Sequence, residues 1–247
     1  MRRTARLSRL VLPMLVTAAA AVALIQSPAD AAVPAPKPHG PHVSTADGES
    51  LAISLVPSSH TVAIGSQVTM TATTTQDVGP TPYDIEIYDT TQGTLIAICG
   101  GGTSCSGTAS EATDTTDQFV AYVAVASDTA PPPEVQATSL TNFVTWSNSG
   151  LIMSLYTTSN DGVHWQYNAV VNQDVGNLPY YIQLYYGDGT FLTRCGSGTS
   201  CTYAATLGNL EQHQVVAFVS PYGYQLPPFN AQSSSNTASV INANIFG

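Results

Sequence analysis

The sequence predicts an all-β protein built as two tandem β-sandwiches behind a cleaved export signal and a proline-rich linker. Three observations carry this: a block pattern that occurs twice, strict two-residue alternation inside each copy, and a charge balance typical of a folded surface. Asp77-Val-Gly-Pro-Thr-Pro-Tyr-Asp-Ile-Glu-Ile-Tyr88 returns as Asp174-Val-Gly-Asn-Leu-Pro-Tyr-Tyr-Ile-Gln-Leu-Tyr185, and Cys99-Gly-Gly-Gly-Thr-Ser-Cys105 returns as Cys195-Gly-Ser-Gly-Thr-Ser-Cys201. The register continues from Val120-Ala-Tyr-Val123 to Val216-Ala-Phe-Val219 and from Pro131-Pro132 to Pro227-Pro228. Two units of ~95 residues follow, a common size for a single sandwich. With 9% charged and 43% hydrophobic residues, the chain lacks the high charge and low hydrophobicity of a disordered polyanion.

From the N-terminus, Arg2, Arg3, Arg6 and Arg9 precede an apolar stretch from Leu10 to Ile25, and Ala29 and Ala31 present small residues to a signal peptidase. Residues 1–31 are therefore read as a signal peptide cleaved after Ala31. The apolar stretch is shorter than the ~20 residues that span a bilayer, so no membrane insertion is expected after cleavage. The C-terminal Ile241-Asn-Ala-Asn-Ile-Phe-Gly247 offers no anchor. Residues 32–50 carry Pro34, Pro36, Pro38 and Pro41 and read as an extended linker. His39 and His42 on it are solvated spacer residues, since nothing rigid holds them to a metal.

The first sandwich is placed at residues 51–146 and the second at 151–247. Val68, Met70 and Ala72 alternate with threonines, as expected of a half-buried strand. Tyr83, Ile85 and Ile87, with Tyr180, Ile182 and Leu184 in the second copy, form the next core faces. Turns at Gly93 and at Gly187-Asp188-Gly189 close hairpins. Phe119-Val-Ala-Tyr-Val-Ala124 and Val215-Val-Ala-Phe-Val219 are the most apolar runs and read as central strands. Another strand ends each copy, between Val135 and Trp146 and between Ala231 and Ile241. The bridge Ser147-Asn-Ser-Gly150 is short, which suggests sandwiches set end to end with little hinge freedom.

Four cysteines in an exported chain imply two disulfides with three possible connectivities. The duplication selects Cys99–Cys105 and Cys195–Cys201, because each copy must close its own bridge. The spacing suggests a hairpin turn stapled across its base, worth roughly 2 kcal/mol by loop entropy. A metal or redox role is disfavoured: redox pairs lie closer in sequence, and no nearby His supplies further zinc ligands.

The blocks Asp-Val-Gly-Pro-Thr-Pro-Tyr-x-Ile-Glu-Ile and Cys-Gly-x-Gly-Thr-Ser-Cys resemble tandem immunoglobulin-like modules of secreted actinobacterial proteins. The resemblance spans Leu51 to Gly247 and implies an extracellular immunoglobulin-like sandwich. It is specific for architecture and not for function, since such modules serve as spacers, adhesins and enzyme appendages.

Function is approached by exclusion first. Cleavage would leave Lys37 and Arg194 as the basic residues against every acidic residue but Asp30. Such a surface cannot neutralise phosphates, which argues against nucleic acid and anionic membranes as partners. No catalytic motif surrounds His60, His164 or His213, and the copies disagree at these positions, so no enzyme and no cofactor are expected. Glu111, Asp114 and Asp117, and Asn160 with Asp161, are too sparse for a dedicated calcium loop and read as turn residues.

The copies differ most on one sheet face. Asp84, Glu86 and Tyr88 should point outward in the first copy, and Tyr181, Gln183 and Tyr185 replace them in the second. The following loop changes from Asp128-Thr-Ala-Pro-Pro-Pro-Glu134 to Tyr222-Gly-Tyr-Gln-Leu-Pro-Pro-Phe-Asn230. Exposed tyrosines give rigid amphipathic contact at low entropy cost. The expectation is a secreted binding protein with Tyr181, Gln183, Tyr185, Tyr222, Tyr224 and Phe229 as its contact surface, for a protein or a cell-wall glycan. The competing expectation is a protease inhibitor or enzyme accessory presenting Thr199-Ser200 on the Cys195–Cys201 loop. Packing of the tyrosines against the first sandwich is the structural alternative for that face.

Overall fold

The computed structural model describes residues 51–242. The signal-peptide and linker readings and the last five residues lie outside them. The first sandwich contains β1 (Ile53–Pro57), β2 (Thr61–Val62), β3 (Val68–Thr74), β4 (Asp84–Asp89), β5 (Thr94–Cys99), β6 (Ser104–Ala109), β7 (Thr115–Ala124), β8 (Ala137–Thr138) and β9 (Asn142–Trp146). The second contains β10 (Met153–Ser159), β11 (His164–Val171), a 3-10 turn (Val175–Asn177), β12 (Tyr181–Tyr186), β13 (Phe191–Cys195), β14 (Ser200–Thr206), β15 (Gln212–Ser220), β16 (Ser233–Ser234) and β17 (Ala238–Ile241).

Both sandwiches share one topology, except that β2 has no counterpart among the described residues of the second. A sheet in the order β1-β3-β6 faces one in the order β2-β9-β7-β4-β5, and β10-β11-β14 faces β13-β12-β15-β16, with β17 also on β15. Three strands against a larger sheet, antiparallel apart from the parallel pair β2–β9, make an immunoglobulin-like arrangement. Alternation decides what enters each core. Val68, Met70 and Ala72 are fully buried, opposite Ile85, Ile87, Phe119, Ala121 and Val123. Tyr167, Ala169 and Val171 meet Ile182, Leu184, Val215, Ala217 and Val219 in the second core.

The disulfides join Cys99 to Cys105 and Cys195 to Cys201, with Cα atoms 5.6 and 5.5 Å apart. They do not staple hairpins, which corrects the expectation from spacing. β5 and β6 belong to opposite sheets, as do β13 and β14, so each bridge ties the two layers together where the chain crosses between them. The repeated motifs explain each other at this crossing. Asp77 Oδ1 accepts from the N–H of Gly79 and of Gly102, both at 2.7 Å, and Asp174 Oδ1 accepts from Gly176 at 2.7 Å and Gly198 at 2.6 Å. Gly102 and Gly198 hold φ of 81° and 83°, where a side chain would be strained. The aspartate of one block thus fastens the glycine loop of the other.

The sandwiches are not set end to end. β9 is buried on both faces: Val144 and Trp146 enter the first core, while Phe143, Thr145 and Ser147 face the second sandwich. Phe143 packs edge-on against Phe218 of β15, with ring centroids 5.2 Å apart, in a separate apolar cluster with Tyr185, Val216 and Ala231. Around it runs a row of hydroxyl contacts. Thr145 Oγ1 donates to Ser234 Oγ at 3.0 Å, Thr61 Oγ1 lies 2.9 Å from Ser233 Oγ, and Ser147 Oγ donates to Gln232 Oε1 at 3.1 Å. Small hydroxyl side chains suit this seam because the backbones approach closely and every buried polar group must find a partner.

Candidate contact surface

The candidate surface is built on the outer face of β12 and β13. On β12, Ile182 and Leu184 turn into the core, so Tyr181, Gln183 and Tyr185 turn away from it. Pairing sets Gln183 opposite Arg194 of β13 and Tyr185 opposite Phe191. The face is not open across its width. After β15 the chain from Pro221 to Ala231 folds back over its middle, and Gln183 and Tyr185 are wholly buried. The expectation that these two are presented to solvent is thereby corrected. Alternation tells which side of the sheet a residue takes, but not what later covers it.

The buried pair anchors the covering loop. Gln183 Nε2 donates to Pro221 O at 2.9 Å and contacts Ser220 Oγ, and Gln183 Oε1 accepts from Tyr185 Oη at 3.3 Å. Tyr185 Oη also donates to Gly223 O at 3.1 Å. Burial raises the Tyr185 hydroxyl to about 12, so it remains a donor. The first copy uses the same device. Glu86 Oε1 accepts from Ser127 N at 2.7 Å, while Tyr88 Oη donates to Glu86 Oε2 at 2.9 Å and to Ser127 O at 2.8 Å. Glu86 and Tyr88 are also fully buried, so the predicted acidic outer face is not exposed at its centre. Burial raises the Glu86 carboxyl above its ordinary range.

What the loop leaves uncovered is an aromatic and cationic patch. Tyr222 and Tyr224 are 51% and 59% exposed. They touch through their hydroxyls, and their rings meet edge-on with centroids 5.1 Å apart. Tyr181, half-buried, packs edge-on against Tyr222 at 6.1 Å, and Phe191 supports Tyr224 at 5.0 Å. The Arg194 guanidinium lies 3.8 Å from the ring centroid of Tyr222 and 5.6 Å from that of Tyr181. Stacking of this kind holds a planar cation in place while leaving its edge free to donate. Arg194 is the one Lys or Arg among the described residues, and it forms no ion pair there.

Of the predicted contact residues, Tyr181, Tyr222 and Tyr224 come together. Phe229 is 75% exposed but stands apart, where the loop meets Asp114, Thr115 and Thr116 of the first sandwich. Arg194 and Phe191 were missed by sequence reasoning. The available signal was the sole basic residue of the folded part, next to Cys195, whose bridge to the facing sheet turns the adjacent side chain outward.

Elsewhere the titratable groups pair locally. His164 Nδ1 lies 2.6 Å from Asp161 Oδ2, and His213 Nε2 lies 2.6 Å from Glu211 Oε1. A depression of about 680 Å³ holds the latter pair with Tyr186, Asp188 and Thr190, and no serine or cysteine lines it. Asp117 lies beside Asp89, and Gln92 Nε2 donates to Asp117 at 3.2 Å and to Glu111 at 2.6 Å. Among the described residues no three His, Cys, Asp or Glu side chains gather into a metal site.

No protein-family model and no curated protein sequence matches the chain. Among solved structures it is similar to the human OSCAR ligand-binding domain, at 11% sequence identity and a TM-score of 0.31, over 76% of this chain and 98% of that one.

Proposed function

We propose that the chain is a secreted, non-enzymatic binding protein that meets a protein or glycan partner through Tyr181, Arg194, Tyr222 and Tyr224 of its second sandwich. The observation that carries this reading is an unpaired, exposed guanidinium stacked on exposed tyrosines, in a folded region otherwise without Lys or Arg. Tyrosine loses little entropy on contact, and tyrosine and arginine are both enriched among the residues that dominate interface energetics. Two disulfides support an oxidising compartment.

The alternative reading, a protease-inhibiting loop at Cys195–Cys201, is weakened by the Asp77 and Asp174 locks. Both copies fasten this loop identically, as a structural crossing would require. The test is capture of partners from culture supernatant or cell-wall material by the full chain. The quadruple variant Tyr181→Ser, Arg194→Ser, Tyr222→Ser, Tyr224→Ser should lose the capture, and the Phe229→Ser variant should keep it. Unchanged capture by the quadruple variant removes the patch from consideration.

A further inference from the structure

Acidity is divided unevenly between the sandwiches. Asp161, Asp174, Asp188 and Glu211 are the only acidic residues of the second, whereas the first carries the greater part, including Asp128 and Glu134 on the loop that corresponds to the tyrosine loop. That loop is exposed at Asp128, Pro131, Pro133 and Glu134. Neither carboxylate forms an ion pair among the described residues, and Arg194 has none either. So the two chemistries, a carboxylate-flanked proline loop and a tyrosine-arginine patch, sit on one chain without meeting.

We propose that the patch of one chain receives the Asp128–Glu134 loop of a second copy, forming a head-to-tail contact between the second sandwich of one molecule and the first of the next. This rests on the reading of the patch as a contact surface. Arginine held flat on a ring presents its N–H edge to a carboxylate, and exposed tyrosine faces take up proline rings, the pairing that proline-rich segments use on aromatic surfaces. The charge division favours this contact over a symmetric one. Patch against patch would bring together two Arg194 side chains, and loop against loop would bring together four carboxylates. The contact is heterologous, because loop and patch are different surfaces, so it does not saturate at a dimer unless a ring closes.

Analytical ultracentrifugation of the full chain from micromolar to millimolar concentration tests this. The weight-average mass should rise with concentration past that of a dimer, and the association should weaken about tenfold or more in high salt. Arg194→Glu, and separately the pair Asp128→Arg with Glu134→Arg, should each leave a monomer. All three positions are exposed, and unchanged melting temperatures would show that the variants fold. Mixed together, the two variants should associate again, because the intact acidic loop of Arg194→Glu meets the intact Arg194 patch of the loop variant, and each can also be paired with the unsubstituted chain. Arg194→Glu keeps its loop and should add to a parent chain's patch, and the loop variant keeps its patch and should add to a parent chain's loop, each capping growth there.

A parent chain that stays monomeric throughout, or variants that associate as the parent does, would overturn the proposal. The two readings fail separately. If the chain stays monomeric while the quadruple patch variant still loses its captured partner, self-association is wrong and the contact surface stands.

Discussion

At the scale of single residues, side chains that look alike in sequence differ because of what lies above them. Asp117 is 2% exposed, and burial, then the charge of Asp89 and of Glu111, raises its carboxyl to about 6. A carboxylate raised in the folded state contributes stability that is fully present below its ordinary range and lost as pH rises through about 6. Asp117→Asn keeps an oxygen for Gln92 and removes the repulsion. It should stabilise the first sandwich at neutral pH by about 1–3 kcal/mol and flatten the pH dependence of its melting between pH ~4 and ~6. Asp174 behaves oppositely, since N–H donation from Gly176 and Gly198 lowers its carboxyl. Asp174→Ala should speed hydrogen exchange at these two amides and lower the melting temperature by a few degrees, while Asp188→Ala, outside the lock, leaves both amides protected.

At the scale of elements, each bridge is a clamp between layers. Replacing Cys195 and Cys201 together by alanine should cost about 2 kcal/mol, read as a lower denaturant midpoint, with proteolysis first at the 196–200 crossing. The strands were legible because alternation reports directly on a sheet with one buried face: Val68, Met70 and Ala72 lie inward as their spacing requires. Alternation also placed Gln183 and Tyr185 correctly on the side away from the core. It failed on their exposure, because the cover comes from a loop some forty positions later whose course depends on Gln183 itself. The same gap hid Arg194, which acquires its setting from Tyr222. The two-residue β2 was not foreseen, and the single strands read between Val135 and Trp146 and between Ala231 and Ile241 each break into two, β8 with β9 and β16 with β17, since partner strands define such short pieces and their own sequences do not.

At the scale of the whole molecule, the seam along β9 packs the two sandwiches against each other, and a single unfolding transition is the expected outcome. Phe143→Ala empties the centre of that seam and should cost about 3–4 kcal/mol. It should also split a single calorimetric transition into two, and persistence of one transition would show that the hydroxyl row suffices. His60 adds a pH dependence here. Its Nδ1 lies 3.0 Å from Phe143 O, its carbonyl accepts from Ser234 Oγ, and burial lowers its pKa. A histidine lowered in the folded state contributes stability present above its ordinary value of about 6.5 and lost as pH falls below it. His60→Gln should therefore reduce the loss of coupling on mild acidification, measured as the separation of the two unfolding steps.

The two-sided burial of β9 also bears on the order in which the chain can assemble. The first sandwich can close around Val144 and Trp146 as soon as residue 146 is available, before any strand of the second exists. From that moment Phe143, Thr145 and Ser147 stand in water as an unfinished wall, and β15 and β16 complete it only when residues 212–234 have been made and folded. The N-terminal half is thus a surface on which the C-terminal half is cast, and a chain that stalls between the two carries an exposed phenylalanine until synthesis resumes.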